Sequence, residues 1–142
     1  MCIRDSYYTI PLGKAALLKE GNAVTIIAFG APVHWALETL AKNPEINADL
    51  IDLRTLQPLD TETIFASVKK TGKVIIYQED TLFGGIASDI SALIMEECFE
   101  YLDAPVKRVG SLDSPIPFTK ALEDQFLAKN RFEEVLFDLL KY

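Results

Sequence analysis

The segment ADLIDLRTLQPLD, residues 48–60, decides the fold because it joins a buried strand to a helix through a short turn. Residues 49–53 have strand length, with Leu50, Ile51 and Leu53 as the apolar side chains, and Pro58 interrupts regular structure after the corner at Arg54. Asp60 stands where a helix N-cap belongs, and Glu62 follows in the first turn. Gly72 is the natural end of that helix. The segment therefore predicts a strand, a turn and a capped helix in succession.

The same alternation of strand and helix signals continues on both sides of this segment. It favours an α/β fold in which helices cover a mostly parallel sheet. The turn at residues 20–22 (Glu-Gly-Asn) taken alone favours a hairpin between the first two strands. Strands are predicted over residues 14–19, 23–29, 49–53, 73–78 and 106–109, and helices over 32–42, 60–72, 84–101 and two stretches near the C-terminus.

Composition and charge exclude several classes of function. The chain has 142 residues, with 14 basic and 21 acidic side chains and a net charge of −7, and no basic stripe is present. That balance argues against a nucleic-acid partner. The longest apolar runs are far shorter than a membrane span. Cys2 and Cys98 are too few for a disulfide framework, so we expect a cytoplasmic protein, with Cys98 on the apolar side of a helix.

Two local features suggest ligand chemistry but have simpler explanations. His34 is the single histidine and has no partner at ligand spacing, so it is interpreted as an ordinary surface or packing residue. Gly84 and Gly85 precede a helix and could cradle an anion, but Glu79 and Asp80 lie just upstream and would repel a phosphate. Tight packing of strand against helix is the favoured role of the two glycines.

Four residues are candidates for an interface with a partner. Arg54 and Glu79 follow parallel strands, so both are expected at the carboxyl edge of the sheet, where ligands usually bind. They could clamp a small polar ligand, or pair with each other or with another domain, and the structural interpretation is favoured because no nucleophile or base converges there. Asp113 precedes the stiff segment SPIP at residues 114–117, and Tyr142 ends the final amphipathic helix.

Seven blocks, in order along the chain, carry a resemblance to a known family: IPLGKA, AVTIIAFG, DLRTLQPLD, SVKKTGKVIIYQED, GGIASDISA, APVKRVGSLDSPIPF and RFEEVLFDLL. The chain resembles the C-terminal domain of the transketolase superfamily, and is most like the β subunit of thiamine diphosphate-dependent 2-oxo acid dehydrogenases of the branched-chain or pyruvate type. The resemblance implies three α/β/α layers around a five-stranded, mostly parallel sheet in order 1-3-2-4-5, with an antiparallel first strand instead of a hairpin.

The resemblance also implies a function for the whole enzyme and a division of labour within it. Such an enzyme oxidatively decarboxylates a 2-oxo acid with thiamine diphosphate and Mg²⁺ and acylates lipoyl groups. The family binds both cofactors in other domains, so no catalytic, cofactor-binding or metal residue is assigned here, and the domain alone is expected to be inactive. Expected partners are an upstream thiamine-binding domain, an α subunit or α region, a second β copy and the subunit-binding module of the acyltransferase core.

Two alternatives remain open from the sequence. One is the C-terminal domain of a transketolase or a deoxyxylulose phosphate synthase. The other is a free-standing α/β module that binds a small ligand, which would lack a large exposed apolar patch. In each case residues 8–142 are expected to form the domain, and residues 1–7 are expected to be a non-native segment or a linker.

Overall fold

The computed structural model describes residues 7–142, so residues 1–6 of the segment interpreted as non-native or linker lie outside the described part. Five strands form one sheet in the order β1-β3-β2-β4-β5, which confirms the predicted α/β fold and strand order. Only β1 is antiparallel to its neighbour. The elements are β1 (Ala16–Lys19), β2 (Val24–Ala28), α1 (Ala31–Lys42), β3 (Ala48–Asp52), α2 (Thr61–Thr71), β4 (Val74–Thr81), α3 (Ala87–Cys98), a 3₁₀ turn (Phe99–Tyr101), β5 (Lys107–Ser111), α4 (Lys120–Phe126) and α5 (Lys129–Leu140).

The hairpin that the Glu-Gly-Asn turn suggests is wrong, because β1 and β2 lie on opposite sides of β3. The turn carries the chain across the start of β3, where the Gly21 amide donates to Asp49 Oδ1 at 2.7 Å. A side chain at Gly21 would collide with the backbone of Ala48. The glycine is therefore needed for close approach between two chain segments, which is a different requirement from a hairpin turn.

Helices cover both faces of the sheet, and each face has its own apolar core. On one face, Phe132 of α5 stacks on Tyr77 of β4 with ring centroids 4.3 Å apart. The Tyr77 hydroxyl is buried and has no hydrogen-bond partner among the described residues. On the other face, α2 and α3 pack on the sheet, and Cys98 is fully buried as predicted. Burial raises the pKa of the Cys98 thiol, consistent with a packing role.

The predicted helix ends are confirmed in α2 and changed in α3. The Asp60 side chain accepts from the Thr63 amide, and Gly72 ends α2 in the left-handed conformation. Helix α3 begins at Ala87 instead of the predicted residue 84 because Gly84, with φ of 73°, still belongs to the preceding turn. Apolar residues at positions 33, 36, 37, 40 and 41 have the spacing of a core-facing stripe, but Leu37 is 39% exposed, so the buried part of that stripe on α1 is narrower than the spacing indicates. Within residues 7–142, no helix has the length and apolar character to cross a bilayer.

Candidate protein interface

The carboxyl ends of β2 and β4 open into a cavity of about 420 Å³. The chain leaves these two neighbouring strands toward opposite halves of the sheet, so the cavity lies at the switch in strand order, where wound α/β folds usually bind ligands. Loop 112–119 and helix α4 form its outer wall. The lining residues are Phe29, Gly30, Glu79, Asp80, Thr81, Ser114, Ile116, Glu123, Phe126 and Leu127.

Hydrogen bonds to backbone groups fix the walls of this cavity. The buried Ser111 hydroxyl donates to the Glu79 carbonyl and accepts from the Ala128 amide at 3.2 Å. The Arg131 guanidinium donates to the carbonyls of Gly110 at 3.0 Å and Phe126 at 2.7 Å. These hydrogen bonds join the end of β4, the end of β5 and the start of α5. The inner walls of the cavity are therefore fixed to the main secondary structure of the domain.

The charge on the cavity has one sign. Glu79, Asp80 and Glu123 line it, and no lysine, arginine or histidine does. Asp80 accepts from the Thr81 amide at 2.7 Å. Among residues 7–142, the carboxylates of Glu79 and Glu123 have neither a hydrogen bond nor an ion pair. Two exposed carboxylates without a partner among the described residues therefore border an otherwise mostly apolar cavity.

Large apolar side chains surround the cavity and are exposed. Phe83 is 88% exposed, Ile116 is 70% exposed and Phe118 is fully exposed. We call these three residues, with Leu112 and Leu122, the carboxyl-edge patch. Several large exposed apolar side chains gathered near one edge of the sheet are typical of an interaction site and are costly for a free-standing module. The patch therefore favours the interpretation of the chain as a domain that contacts other protein surfaces.

Arg54 lies at the carboxyl edge as predicted, but it is not paired with Glu79. Its Nε lies 4.0 Å from Asp52 Oδ2, and no ion pair in the described part of the chain joins Arg54 to Glu79. Arg54 has a φ of 57°, the one positive φ among the described residues other than glycine. A non-glycine residue in this region costs roughly 1 kcal/mol or more, and such strain is concentrated at functional positions.

The other two candidate residues lie at opposite edges of the sheet. Asp113 Oδ1 accepts from the Phe83 amide at 3.1 Å, so its carboxylate fixes the two loops that carry the carboxyl-edge patch. Tyr142 is 66% exposed and borders a surface depression with Lys107, the first residue of β5. Arg54, Glu79 and Asp113 therefore share one edge, while Tyr142 belongs to the amino edge. The sequence interpretation did not separate these two locations.

The structure also decides between the explanations of the other motifs. His34 is an exposed residue on α1. At the start of α3, the Ala87 amide donates to Gln78 Oε1 at 2.9 Å, so the buried Gln78 side chain occupies the place where an anion would bind. A side chain at Gly85 would collide with the same Gln78 amide. The packing role of Gly85 is thereby confirmed.

The described residues do not fit thiamine diphosphate with Mg²⁺. A diphosphate needs basic side chains or free amides, whereas the carboxyl-edge cavity presents carboxylates and the α3 amide is already bonded. Among residues 7–142, no group of three histidine, cysteine or acidic side chains could hold a metal ion. We therefore derive no catalytic step from this chain.

Several cavity residues are not predicted from the sequence, among them Phe29, Glu123 and Phe126. Phe29 ends an apolar strand, and Glu123 and Phe126 belong to the short helix α4, so each looked like an ordinary element residue. Their proximity depends on the path of loop 112–119, which no local pattern specifies. The unusual sequence SPIP was the one available signal that this loop is stiff and projects from the sheet.

The fold and this surface define a wound α/β domain with an apolar, acidic carboxyl edge. The chain belongs to the family of transketolase C-terminal domains, whose family model matches residues 13–131.

Similar proteins are longer than this chain. The chain is 44% identical over 141 residues to the β subunit of acetoin:2,6-dichlorophenolindophenol oxidoreductase from Bacillus subtilis, covering 97% of this chain and 41% of that protein. It is 50% identical over 113 residues to the mitochondrial 2-oxoisovalerate dehydrogenase β subunit of Dictyostelium discoideum, covering 78% of this chain and 30% of that one. The chain thus spans well under half the length of these relatives.

A solved structure of a relative has the same fold. It is a split-gene transketolase, an inactive β4 tetramer, with a TM-score of 0.77 and 29% sequence identity. The match covers 94% of this chain and 43% of that one.

Proposed function

We propose that this chain is the C-terminal assembly domain of the β subunit of a thiamine diphosphate-dependent 2-oxo acid dehydrogenase. The whole enzyme would oxidatively decarboxylate a 2-oxo acid and acylate lipoyl groups, with the cofactors held by domains other than this one. The observation that carries the proposal is the exposed carboxyl-edge patch on a domain that belongs to this family. A large solvent-exposed apolar area is understandable if neighbouring protein surfaces cover it.

The partners we propose follow from the same reasoning. They are an upstream thiamine-binding domain, an α subunit or α region, a second β copy and the subunit-binding module of an acyltransferase core. Arg54, Glu79 and Asp113 would contact neighbours at the carboxyl edge, and Tyr142 at the amino edge. Residues 8–142 would form the domain, and residues 1–7 a non-native or linker segment.

The substrate side chain stays open between branched-chain and pyruvate types. Matches include a pyruvate dehydrogenase β subunit from Rickettsia bellii at 46% identity, close to the 50% of the 2-oxoisovalerate relative. We favour the dehydrogenase class over transketolase because the split-gene transketolase match is lower, at 29%.

A chimeric enzyme tests the proposal. The C-terminal domain of the Dictyostelium 2-oxoisovalerate dehydrogenase β subunit is replaced by residues 8–142 and expressed with its α subunit. We expect the chimera to assemble, by light scattering after gel filtration, and to turn over 2-oxoisovalerate. A matched chimera that lacks any C-terminal domain serves as the control. If the first chimera and the α subunit are both folded and do not assemble, the proposal is contradicted.

A second experiment tests the division of labour. The 142-residue chain alone, supplied with thiamine diphosphate, Mg²⁺ and a branched 2-oxo acid, is expected to show no decarboxylation. Turnover by the purified chain would contradict the proposed role.

A further inference from the structure

We propose that the carboxyl-edge cavity receives an arginine side chain from a neighbouring protein surface, with apolar residues beside that arginine covering the carboxyl-edge patch. The inference rests on the proposed function, since it names the chemistry of a partner at the interface. It is carried by three observations on the same edge: an apolar-walled cavity, two exposed carboxylates on its lining without a partner among the described residues, and exposed aromatic residues near it.

The carboxylates decide that the occupant is a cation. Glu79 and Glu123 have no partner among the described residues, and no basic side chain lines the cavity. A partner that covers the cavity removes water from these charges, and that desolvation is compensated only if an opposite charge enters with it. A neutral or acidic partner would leave two charges without compensation.

The walls decide that the cation is an arginine. Phe29 and Phe126 present aromatic surface, and Ile116 and Leu127 present aliphatic surface. A guanidinium is planar and weakly hydrated, stacks on aromatic rings and binds carboxylates through two parallel hydrogen bonds. A compact metal ion does not suit the site, because the described residues contain no group placed to ligate one.

The rim decides that the arginine belongs to a protein. Phe83 and Phe118 are almost wholly exposed and stand outside the cavity, where a free small molecule inside it would leave them in water. A protein surface that inserts one arginine also covers this rim. Such an anchor within an apolar, water-excluding ring is the usual arrangement of residues that dominate binding energy.

Peptide titration tests the inference. The probe is the peptide Ac-Leu-Arg-Phe-NH₂, and its matched control is the peptide in which uncharged citrulline replaces arginine. Binding to the ¹⁵N-labelled 142-residue chain is followed by amide shifts at Gly30, Asp80 and Ile116. We expect the arginine peptide to bind about tenfold more tightly than the citrulline peptide, since two partly screened charge pairs are lost. Equal affinities would overturn the inference.

Variants locate the binding site. The double variant Glu79→Gln with Glu123→Gln should weaken the arginine peptide about tenfold. Glu96→Gln with Glu97→Gln makes the same charge change near the end of α3, away from the cavity, and should leave affinity unchanged. Thermal unfolding establishes that both variants are folded. Unchanged affinity in the first variant, or equally tight binding of arginine amide alone, would overturn the inference.

The chimera separates this inference from the proposed function. If the chimera with native glutamates assembles and the Glu79→Gln, Glu123→Gln chimera assembles with equal affinity, the arginine site is refuted while the assembly role stands. If the native chimera fails to assemble, the assembly role is refuted whatever the peptides do.

Discussion

Asp60 is the N-cap of α2 and also binds the chain segment that leads into β1. Replacing it should therefore lower the free energy of unfolding more than the loss of an ordinary N-cap does. Its side chain is nearly buried, and Oδ1 accepts from the Thr63 amide at 3.3 Å. Oδ2 accepts from the Thr63 hydroxyl and from the Ala15 amide, both at 2.9 Å. One carboxylate therefore stabilises both the helix start and the residues that lead into β1.

The expected magnitude follows from these contacts. Loss of the N-cap costs about 1 kcal/mol. The Ala15 amide is partly buried, and leaving it without an acceptor adds about 1–2 kcal/mol. Lys14 is largely exposed and lies 4.0 Å away, so we assign it no contribution. Asp60→Ala should therefore lower the free energy of unfolding by about 2–3 kcal/mol.

The effect should depend on pH with a definite sign. Burial by itself raises the pKa of Asp60, but the hydrogen bonds from Ala15 and Thr63 outweigh it and hold the pKa below its usual range. Because the folded pKa lies below the unfolded pKa, this stabilisation is present above about pH 4 and is lost as pH falls toward the folded value. The difference between Asp60→Ala and the native chain should narrow in acid.

Urea unfolding at pH 7 and at a series of lower pH values measures these quantities. Glu62→Ala is the matched control, since Glu62 is in the same helix turn but is exposed, and it should change stability by less than about 0.5 kcal/mol. Asp60→Asn retains an N-cap side chain, so its free energy of unfolding should lie between those of Asp60→Ala and Glu62→Ala. A loss below about 1 kcal/mol for Asp60→Ala, or a difference that grows in acid, would refute the reasoning.

Three further tests address separate features. Tyr77→Phe removes a buried hydroxyl that has no partner among the described residues and should raise stability by about 1 kcal/mol, whereas Tyr101→Phe, at an exposed site, should be neutral; a loss in Tyr77→Phe would reveal a hydrogen bond. Gly85→Ala should lower the free energy of unfolding by about 2–3 kcal/mol, because the new methyl group meets the buried side-chain amide of Gln78. Gly84→Ala should lower it by about 1 kcal/mol, from the positive φ alone. Calorimetry of both variants should therefore show the larger loss for Gly85→Ala. Arg54→Asn should raise the free energy of unfolding of the isolated chain by about 0.5–1 kcal/mol, since asparagine tolerates a positive φ better than arginine. In the chimera the same substitution should weaken assembly. A lower stability of the isolated variant would contradict the backbone strain assigned to Arg54.

Local chemistry explains which features of the fold could be predicted from the sequence. Asp60 and Gly72 mark the ends of α2 through interactions with residues close in sequence, so their roles as N-cap and helix end could be predicted from the sequence. The run rich in Val and Ile over residues 23–29 is typical of a strand buried on both faces, and every residue of β2 is buried. In contrast, the Glu-Gly-Asn turn has the same local signal whether the chain makes a hairpin or crosses β3.

Features that depend on distant contacts could not be predicted from the residues alone. The order of the strands came from the family resemblance, because long-range pairing leaves no local signature. The cavity needs Phe29, Glu79 and Glu123 to meet from three parts of the chain. The position of Tyr142 beside Lys107, at the amino edge, likewise depends on how α5 packs and has no local signal.

Hydrogen–deuterium exchange on the assembled chimera, compared with the 142-residue chain alone, tests the central claim most directly. Residues 82–84 and 112–118, which carry most of the carboxyl-edge patch, should become strongly protected on assembly with the α subunit. Residues 96–101, at the far end of α3, provide the internal reference and should exchange at the same rate in both. Unchanged exchange of residues 82–84 and 112–118 in an assembled, active chimera would contradict the account.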